Sequence, residues 1–272
     1  MAGSQSIEQL SAVLELFTEQ RGLVSVDEII EALDLTRSTG YRTVRALVDT
    51  GLLDRISDDG YVLGPRILEL YRQLQNGNPL LAVARPVMMA LAAESAKGTA
   101  VLLCRSYRDQ VMCLHQEMTY GPQEPVSYQV GRPMPLYAGS SSLVVLAAMP
   151  RPRLQRLYER DKSLIAKAGF AKSADEFFQA LKQIRKEGSR VSYGEVDKGR
   201  IGVSAAFVQN DLGIIGCLSV VLSQVHASDM DVSRARLQVV AAAEEVSRKL
   251  AGIVATGAAC APAKRKASSS NV

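Results

Sequence analysis

Histidine and cysteine are scarce in this chain of 272 residues: there are two histidines, His115 and His226, and four cysteines, Cys104, Cys113, Cys217 and Cys260. Two imidazoles cannot supply a histidine-rich metal site and leave little for acid–base catalysis. The cysteines are too far apart for paired C-x-x-C zinc ligands. Three of them lie in apolar stretches, where a free thiol behaves as a small hydrophobe. A reduced compartment, with no metal and no cofactor, is therefore expected. No apolar run approaches the roughly 18 residues of a spanning helix, because Arg, Glu or Gly interrupts each one. The opening Met1-Ala2-Gly3-Ser4-Gln5 carries neither a basic nor an apolar leader, so a cytoplasmic protein with no membrane partner is expected.

What is present suits a globule: 47% of residues are hydrophobic, and the length is nearly twice the roughly 150 residues of one domain. Charge is uneven. Residues 1–75 carry 7 basic and 12 acidic groups, whereas residues 76–253 carry 22 and 16. The last 19 residues, rich in Ala and Ser with Lys264-Arg265-Lys266, read as a disordered basic tail over 254–272. That triplet suits a solubilising tail or a phosphate contact.

In the first block, Ile7, Leu10, Val13, Leu14 and Phe17 fall on one face of a helix ending near Gly22. Ser25-Val26-Asp27-Glu28 has capping-box form and opens a second helix through Ile29, Ile30 and Leu33. Asp34-Leu35-Thr36 makes a turn, and Thr36 caps a third helix from Arg37 to about Thr50, stopped by Gly51. Gly40, Val44, Leu47 and Val48 share one side of that helix. Ser38, Thr39, Arg42, Arg45 and Ala46 share the other. Small hydroxyls let a backbone approach a major groove while arginines reach phosphates or guanine edges. Leu52–Ile56 and Tyr61–Leu63 read as two strands around Ser57-Asp58-Asp59-Gly60, with Arg55 as a wing phosphate contact. The whole is a winged helix-turn-helix over residues 1–63, with Arg37, Ser38, Thr39, Tyr41, Arg42, Arg45 and Arg55 as its DNA-binding set. Tyr41 suits packing as well as phosphate contact. A protein-binding adaptor of the same fold is the competing reading.

Gly64-Pro65 breaks the chain, and Ile67, Leu68, Tyr71 and Leu74 mark a linker helix over 64–77. Beyond it, over 78–253, a helix from about Leu80 to Ala96 precedes strands at Thr99–Cys104, Gln110–Gln116 and Val126–Val130. Ser173 opens a helix to about Lys186. Strands recur at Arg190–Gly194, Ile201–Val208 and Ile214–Leu222, before a long helix from Val232 to Leu250. An antiparallel sheet with helices at its ends is an α+β domain. Cys113, His115 and Glu117 alternate on one strand, which would aim all three at one face. A cysteine-dependent enzyme is thus an alternative, although nothing specifies an activated thiol.

With this order of elements, Gly131-Arg132-Pro133-Met134-Pro135-Leu136-Tyr137-Ala138 is similar to the G-x-x-L-P-L-H-A segment of the IclR family of bacterial transcription regulators. Gly194-Glu195 followed by Gly199, and Gly216-Cys217-Leu218-Ser219-Val220, extend the resemblance from about Ile7 to Gly252. The resemblance implies a GAF-like effector domain that binds a small organic molecule, a carboxylic acid or an aromatic, and a homodimer or homotetramer on a double-stranded DNA operator. It is not an enzyme on this reading. By position, Ser140, Ser141, Ser142, Tyr193, Gly202 and Ser219 match effector-pocket positions. Free amides at a helix start near Ser140 would favour an anion, and the alternative role of the serine run is helix capping. Tyr137 replaces the family's His, and Val221 stands where a second Ser is usual.

Overall fold

The computed structural model describes residues 2–58, 60–119 and 126–255, and the chain divides after Asn78 into two units. Cys260 and the expected tail from 256 onward lie outside the described residues.

In the amino-terminal unit, α1 (Ala2–Glu15) stops earlier than its apolar period suggests. The Thr18 hydroxyl accepts the amide of Arg21 at 3.1 Å, a local turn that competes with helix continuation. Ile7, expected on the buried face, is 70% exposed. β1 (Val24–Ser25) then pairs with Gly60 and Tyr61, a contact no local pattern announces. α2 (Val26–Ala32) begins with both halves of the capping box: the Glu28 amide donates to Ser25 Oγ at 3.2 Å, and the Ser25 amide to Glu28 Oε2 at 2.6 Å. Asp34 turns the chain with a left-handed φ of 49°, and α3 (Arg37–Asp49) follows. β2 (Leu53–Arg55) and β3 (Gly60–Leu63) form the wing, in a three-stranded sheet ordered β1-β3-β2. Val13, Val24, Ile29, Val44, Leu47 and Leu53 make the core. Gly40 is required there, because a Cβ would lie 2.3 Å from Ile30 Cγ1: the Ile30 side chain of α2 fills the space that a side chain on α3 would need. α4 (Arg66–Gly77) buries none of its residues.

In the second unit, six antiparallel strands are ordered β6-β5-β4-β9-β8-β7. They are β4 (Ala100–Tyr107), β5 (Gln110–Met118), β6 (Pro133–Met134), β7 (Arg190–Tyr193), β8 (Arg200–Gln209) and β9 (Ile214–Ser223). The helices do not sit at the ends of the sheet, as the chain order suggested. α5 (Pro79–Ala93) and α9 (Asp229–Ala255) cover one face, and α6 (Ser140–Ala148) with α8 (Ala174–Glu187) lies over the other. β4 shows why: Val101 and Leu103 enter the first core while Leu102 and Cys104 enter the second, as a strand buried on both sides must. α7 (Arg151–Lys167) has no counterpart in the sequence reading, and it breaks at Asp161 (φ −114°, ψ 20°). Val254 and Ala255, assigned to the tail, complete α9.

Two expectations about this sheet fail. Val126–Val130 is not a strand: only Val130 bridges to Cys113, and the outer strand is β6. Residues around Ser127 are instead anchored by side chains, Tyr128 to Ser142 and Ser127 to Asp197. The second failure is the common face of Cys113, His115 and Glu117. A bulge lets Cys104 pair with Cys113 but Leu103 with His115. The extra residue, Leu114, reverses the alternation, so Cys113 faces the α6 side and His115 with Glu117 the other. Neither base can reach the thiol across the sheet.

Candidate functional site

Each unit carries one candidate surface. On α3, Thr36 caps the helix by accepting the amide of Thr39 at 3.3 Å. Arg37, Ser38, Arg42 and Arg45 are exposed, Thr39 is half-buried, and Tyr41 is half exposed. Gly40, Thr43, Val44 and Leu47 face the core, so the helix presents the expected side. Arg45 approaches Asp49 only to 3.9 Å, both side chains being largely in solvent, an ion pair worth little and easily exchanged. Tyr41, Arg42, Arg45, Arg55 and Tyr61 border a groove of about 500 Å³ between α3 and the wing. Arg55 is also engaged within the wing. Its Nε donates to Ser57 O at 3.0 Å and its Nη2 to Asp58 O, so the guanidinium closes the wing turn.

In the second unit the serine run opens α6. Ser140, Ser141 and Ser142 are all buried, in a helix that is apolar or small on every side. Ser204 Oγ lies 2.8 Å from both Ser140 Oγ and Ser219 Oγ, and Ser219 Oγ lies 2.8 Å from Ser141 Oγ. Buried hydroxyls that satisfy one another in this way avoid the cost of desolvation without a partner. Against them lies a cavity of about 30 Å³, bordered by Ser140, Ser141, Ser192, Gly202, Arg200 and the loop 194–197. That is room for one or two waters. Gly202 has a steric reason: a Cβ would stand 2.5 Å from Ser140 Oγ, so β8 could not approach α6.

Three of the six expected pocket residues, Ser140, Ser141 and Gly202, line this cavity, and Ser219 touches it through Ser141. Ser142 turns away to Tyr128 Oη at 2.8 Å. Burial pushes the Tyr128 phenol up, and the bond to Ser142 opposes it. Tyr193 is 56% exposed and outside the cavity; strand alternation turns its neighbour Ser192 inward in its place. The amides expected to be free are occupied: Ser140 N donates to Ser192 Oγ at 3.2 Å, and Gly139 N to Glu195 Oε2 at 3.1 Å. Ser204 was missed although it follows Gly202 by one strand repeat. Glu195, Arg200 and Tyr128 gave no local signal.

Family models match both units: residues 6–57 as the IclR helix-turn-helix domain, and residues 73–248 as the bacterial transcriptional regulator IclR C-terminal region. The chain belongs to the IclR family. It is a transcriptional regulator, with a helix-turn-helix DNA-binding domain and an IclR effector domain, and not an enzyme. The HTH-type transcriptional regulator KipR of Bacillus subtilis is 22% identical over 248 residues, which span 91% of this chain and 97% of that protein. An IclR transcriptional regulator from Alicyclobacillus acidocaldarius shares the fold with a TM-score of 0.74 at 22% identity, over 90% of this chain and 98% of the other. An IclR homologue from Microbacterium hydrocarbonoxydans, solved in complex with 4-hydroxybenzoate, gives a TM-score of 0.69 at 22% identity, covering 91% and 99%. No described helix is long and apolar enough to cross a membrane.

Within this IclR fold, Tyr137 has a specific setting. Its hydroxyl donates to Asp161 Oδ2 at 2.6 Å, at the break in α7, and Arg160 Nη2 donates to the same oxygen at 2.7 Å. Arg160 also pairs with Asp109 in the β4–β5 turn. Burial and then the Asp161 carboxylate push the Tyr137 phenol up, while Arg160 holds Asp161 below its ordinary value. Val221 also lines the cavity and makes one side of it apolar.

Proposed function

We propose that this IclR regulator binds a specific double-stranded DNA operator through the exposed face of α3, and that a small organic effector held in the second unit alters that binding. The observation that carries the DNA half is the placement of Ser38, Arg42 and Arg45 together on the solvent side of a capped helix, beside the groove of the wing. Arg37 and Tyr41 border the same face and contact phosphates. Thr39 positions the helix start, and Arg55 holds the wing in shape for the backbone. Contact with the chromosome places the protein in the cytoplasm.

The effector half is supported by the buried hydroxyl cluster of Ser140, Ser141, Ser204 and Ser219 at the cavity. Packing alone is served better by apolar side chains. Small carboxylic acids and aromatics are the effector class, and the 4-hydroxybenzoate bound by one structural relative falls in it. The effector acts by population shift, favouring one of two arrangements of the chain. The protein works as a homodimer or homotetramer. In support, α4 leaves Leu68, Leu70, Tyr71 and Leu74 exposed, a stripe that a second copy covers.

Fluorescence anisotropy with DNA from neighbouring promoters tests this. One fragment is expected to bind specifically. Arg42→Ala and Arg45→Ala each weaken binding and lower the slope of log affinity against log salt by about one. No specific complex with any fragment, with or without carboxylates and aromatics, overturns the proposal. Unchanged binding by the double variant moves the interface to another surface.

A further inference from the structure

The loop between β7 and β8, residues 194–199, is held down by its two acids. Asp197 accepts the amide of Ser127 at 3.0 Å as well as its hydroxyl. Glu195 reaches the start of α6, where Oε2 accepts the amide hydrogen of Gly139 at 3.1 Å and Oε1 accepts from Arg190 Nη2 at 2.9 Å. A carboxylate is what the positive end of a helix favours, and the chain supplies its own.

Glu195 borders two spaces. On one side is the serine-lined cavity of about 30 Å³, too small for any organic molecule. On the other is a pocket of about 410 Å³, walled by Tyr137, Leu143, Phe170 and Arg190 as well as Glu195, within the ordinary size of a small-molecule site. Arg190 adds an independent observation. Its Nε is buried and has no hydrogen-bond partner among the described residues, although Nη2 is engaged by Glu195. A guanidinium with an unused N–H beside a used one has a vacant place for a second carboxylate oxygen.

We infer that Glu195 is an internal competitor of the effector: a small aryl or alkyl carboxylate enters the larger pocket, takes the Gly139 amide and the Arg190 guanidinium from Glu195, and displaces loop 194–199. This rests on the effector reading above and adds to it the charge of the ligand and the residue it must replace. An anion that replaces an anion leaves Arg190 with a counter-charge, and Nε gains the partner it lacks. A neutral ligand that displaced Glu195 would leave the guanidinium half-buried and unpaired. The site therefore discriminates carboxylates from their amides.

Calorimetric titration of the full chain with acetate, butyrate, benzoate and 4-hydroxybenzoate, with benzamide as the neutral analogue, tests the inference in wild type, Glu195→Gln and Glu195→Ala. Removing the competitor raises the fraction of chains open to ligand, so a carboxylate that binds wild type is expected to bind both variants about tenfold tighter or more, with no gain for benzamide. Glu195→Gln preserves shape, and near-UV circular dichroism checks its fold. In wild type, saturating carboxylate is expected to raise amide hydrogen exchange across residues 194–199. Carboxylate binding to wild type with equal or weaker affinity in both variants overturns the competitor, and so does slower or unchanged exchange in the loop. Binding of no carboxylate to any of the three proteins overturns the effector reading itself.

Discussion

Ser141 and Ser219, 78 positions apart in the chain, bring their hydroxyl oxygens to 2.8 Å in the interior of the effector domain. Ser219 is wholly buried and also lies 2.8 Å from Ser204. Ser219→Ala therefore leaves two hydroxyls short of a partner. The expected loss is about 1 kcal/mol or somewhat more. Differential scanning calorimetry should show the second unit melting about 2–4 °C lower for each kcal/mol, with operator affinity in the absence of effector retained. An unchanged melting temperature would mean that the cluster is not coupled as its geometry indicates.

The contact of Gly40 with Ile30 gives a second test. Gly40→Ala places a methyl group within 2.3 Å of Ile30 Cγ1 and should destabilise the amino-terminal unit by about 1–3 kcal/mol. Ile30→Ala alone also destabilises, by leaving a void. Combined, the two changes offset, and urea unfolding of the double variant should show less loss than the sum of the singles. Strict additivity would mean that the helices part rather than collide.

Acid stability should depend on Asp161. Its folded-state pKa lies below the ordinary 3.8 because Arg160 stabilises the charged form; burial opposes this, and Tyr137 adds a lesser stabilisation. A carboxylate depressed in this way contributes stability that is full above its unfolded value and is lost as pH falls through the folded one. Wild type should therefore lose stability as pH drops below about 4, and Asp161→Asn should flatten that part of the curve while lowering stability at neutral pH. Chemical denaturation between pH 3 and 7 measures both. An Asp161→Asn curve parallel to wild type would remove the ion pair from the account.

Cys104, Cys113 and Cys217 should not react as nucleophiles in the native protein. All three are buried, and the Cys104 thiol is pushed up by hydrogen bonds with Cys113 and Cys217 and then by burial. Treatment with a thiol-specific chromogenic reagent should modify these three no faster than the chain unfolds, as read by mass spectrometry of the labelled peptides. Rapid labelling of Cys113 in folded protein would revive a nucleophilic role.

Much of the fold could be read along the chain because it is decided locally. The Ser25–Glu28 capping box, the Thr36 cap and the stop at Gly51 depend on hydrogen bonds spanning three or four residues, and each appears where the sequence indicates. The strands β7, β8 and β9 were legible for a related reason: β-branched residues alternate or run together between turns such as Asn210–Gly213, where Gly213 takes a φ of 60°. The apolar period held for Leu10, Val13 and Leu14 of α1 and for Phe17 just beyond it, which meet the core, but not for Ile7, which stays 70% exposed, and Thr18 diverts the backbone before Gly22.

The sequence by itself determined the punctuation of the elements and the exposed side of α3, since caps, turns and a 3.6-residue period are properties of a few adjacent residues. Only the tertiary structure decided the rest. A single bulged residue, Leu114, put Cys113 and His115 on opposite faces. The approach of β8 to α6 made Gly202 necessary and gathered four serines from three elements. Glu195 came to the amide of Gly139 across 56 residues of chain. Those choices depend on how strands register and layers close, where burial and hydrogen-bond satisfaction are shared by residues distant in sequence, and no local window contains them.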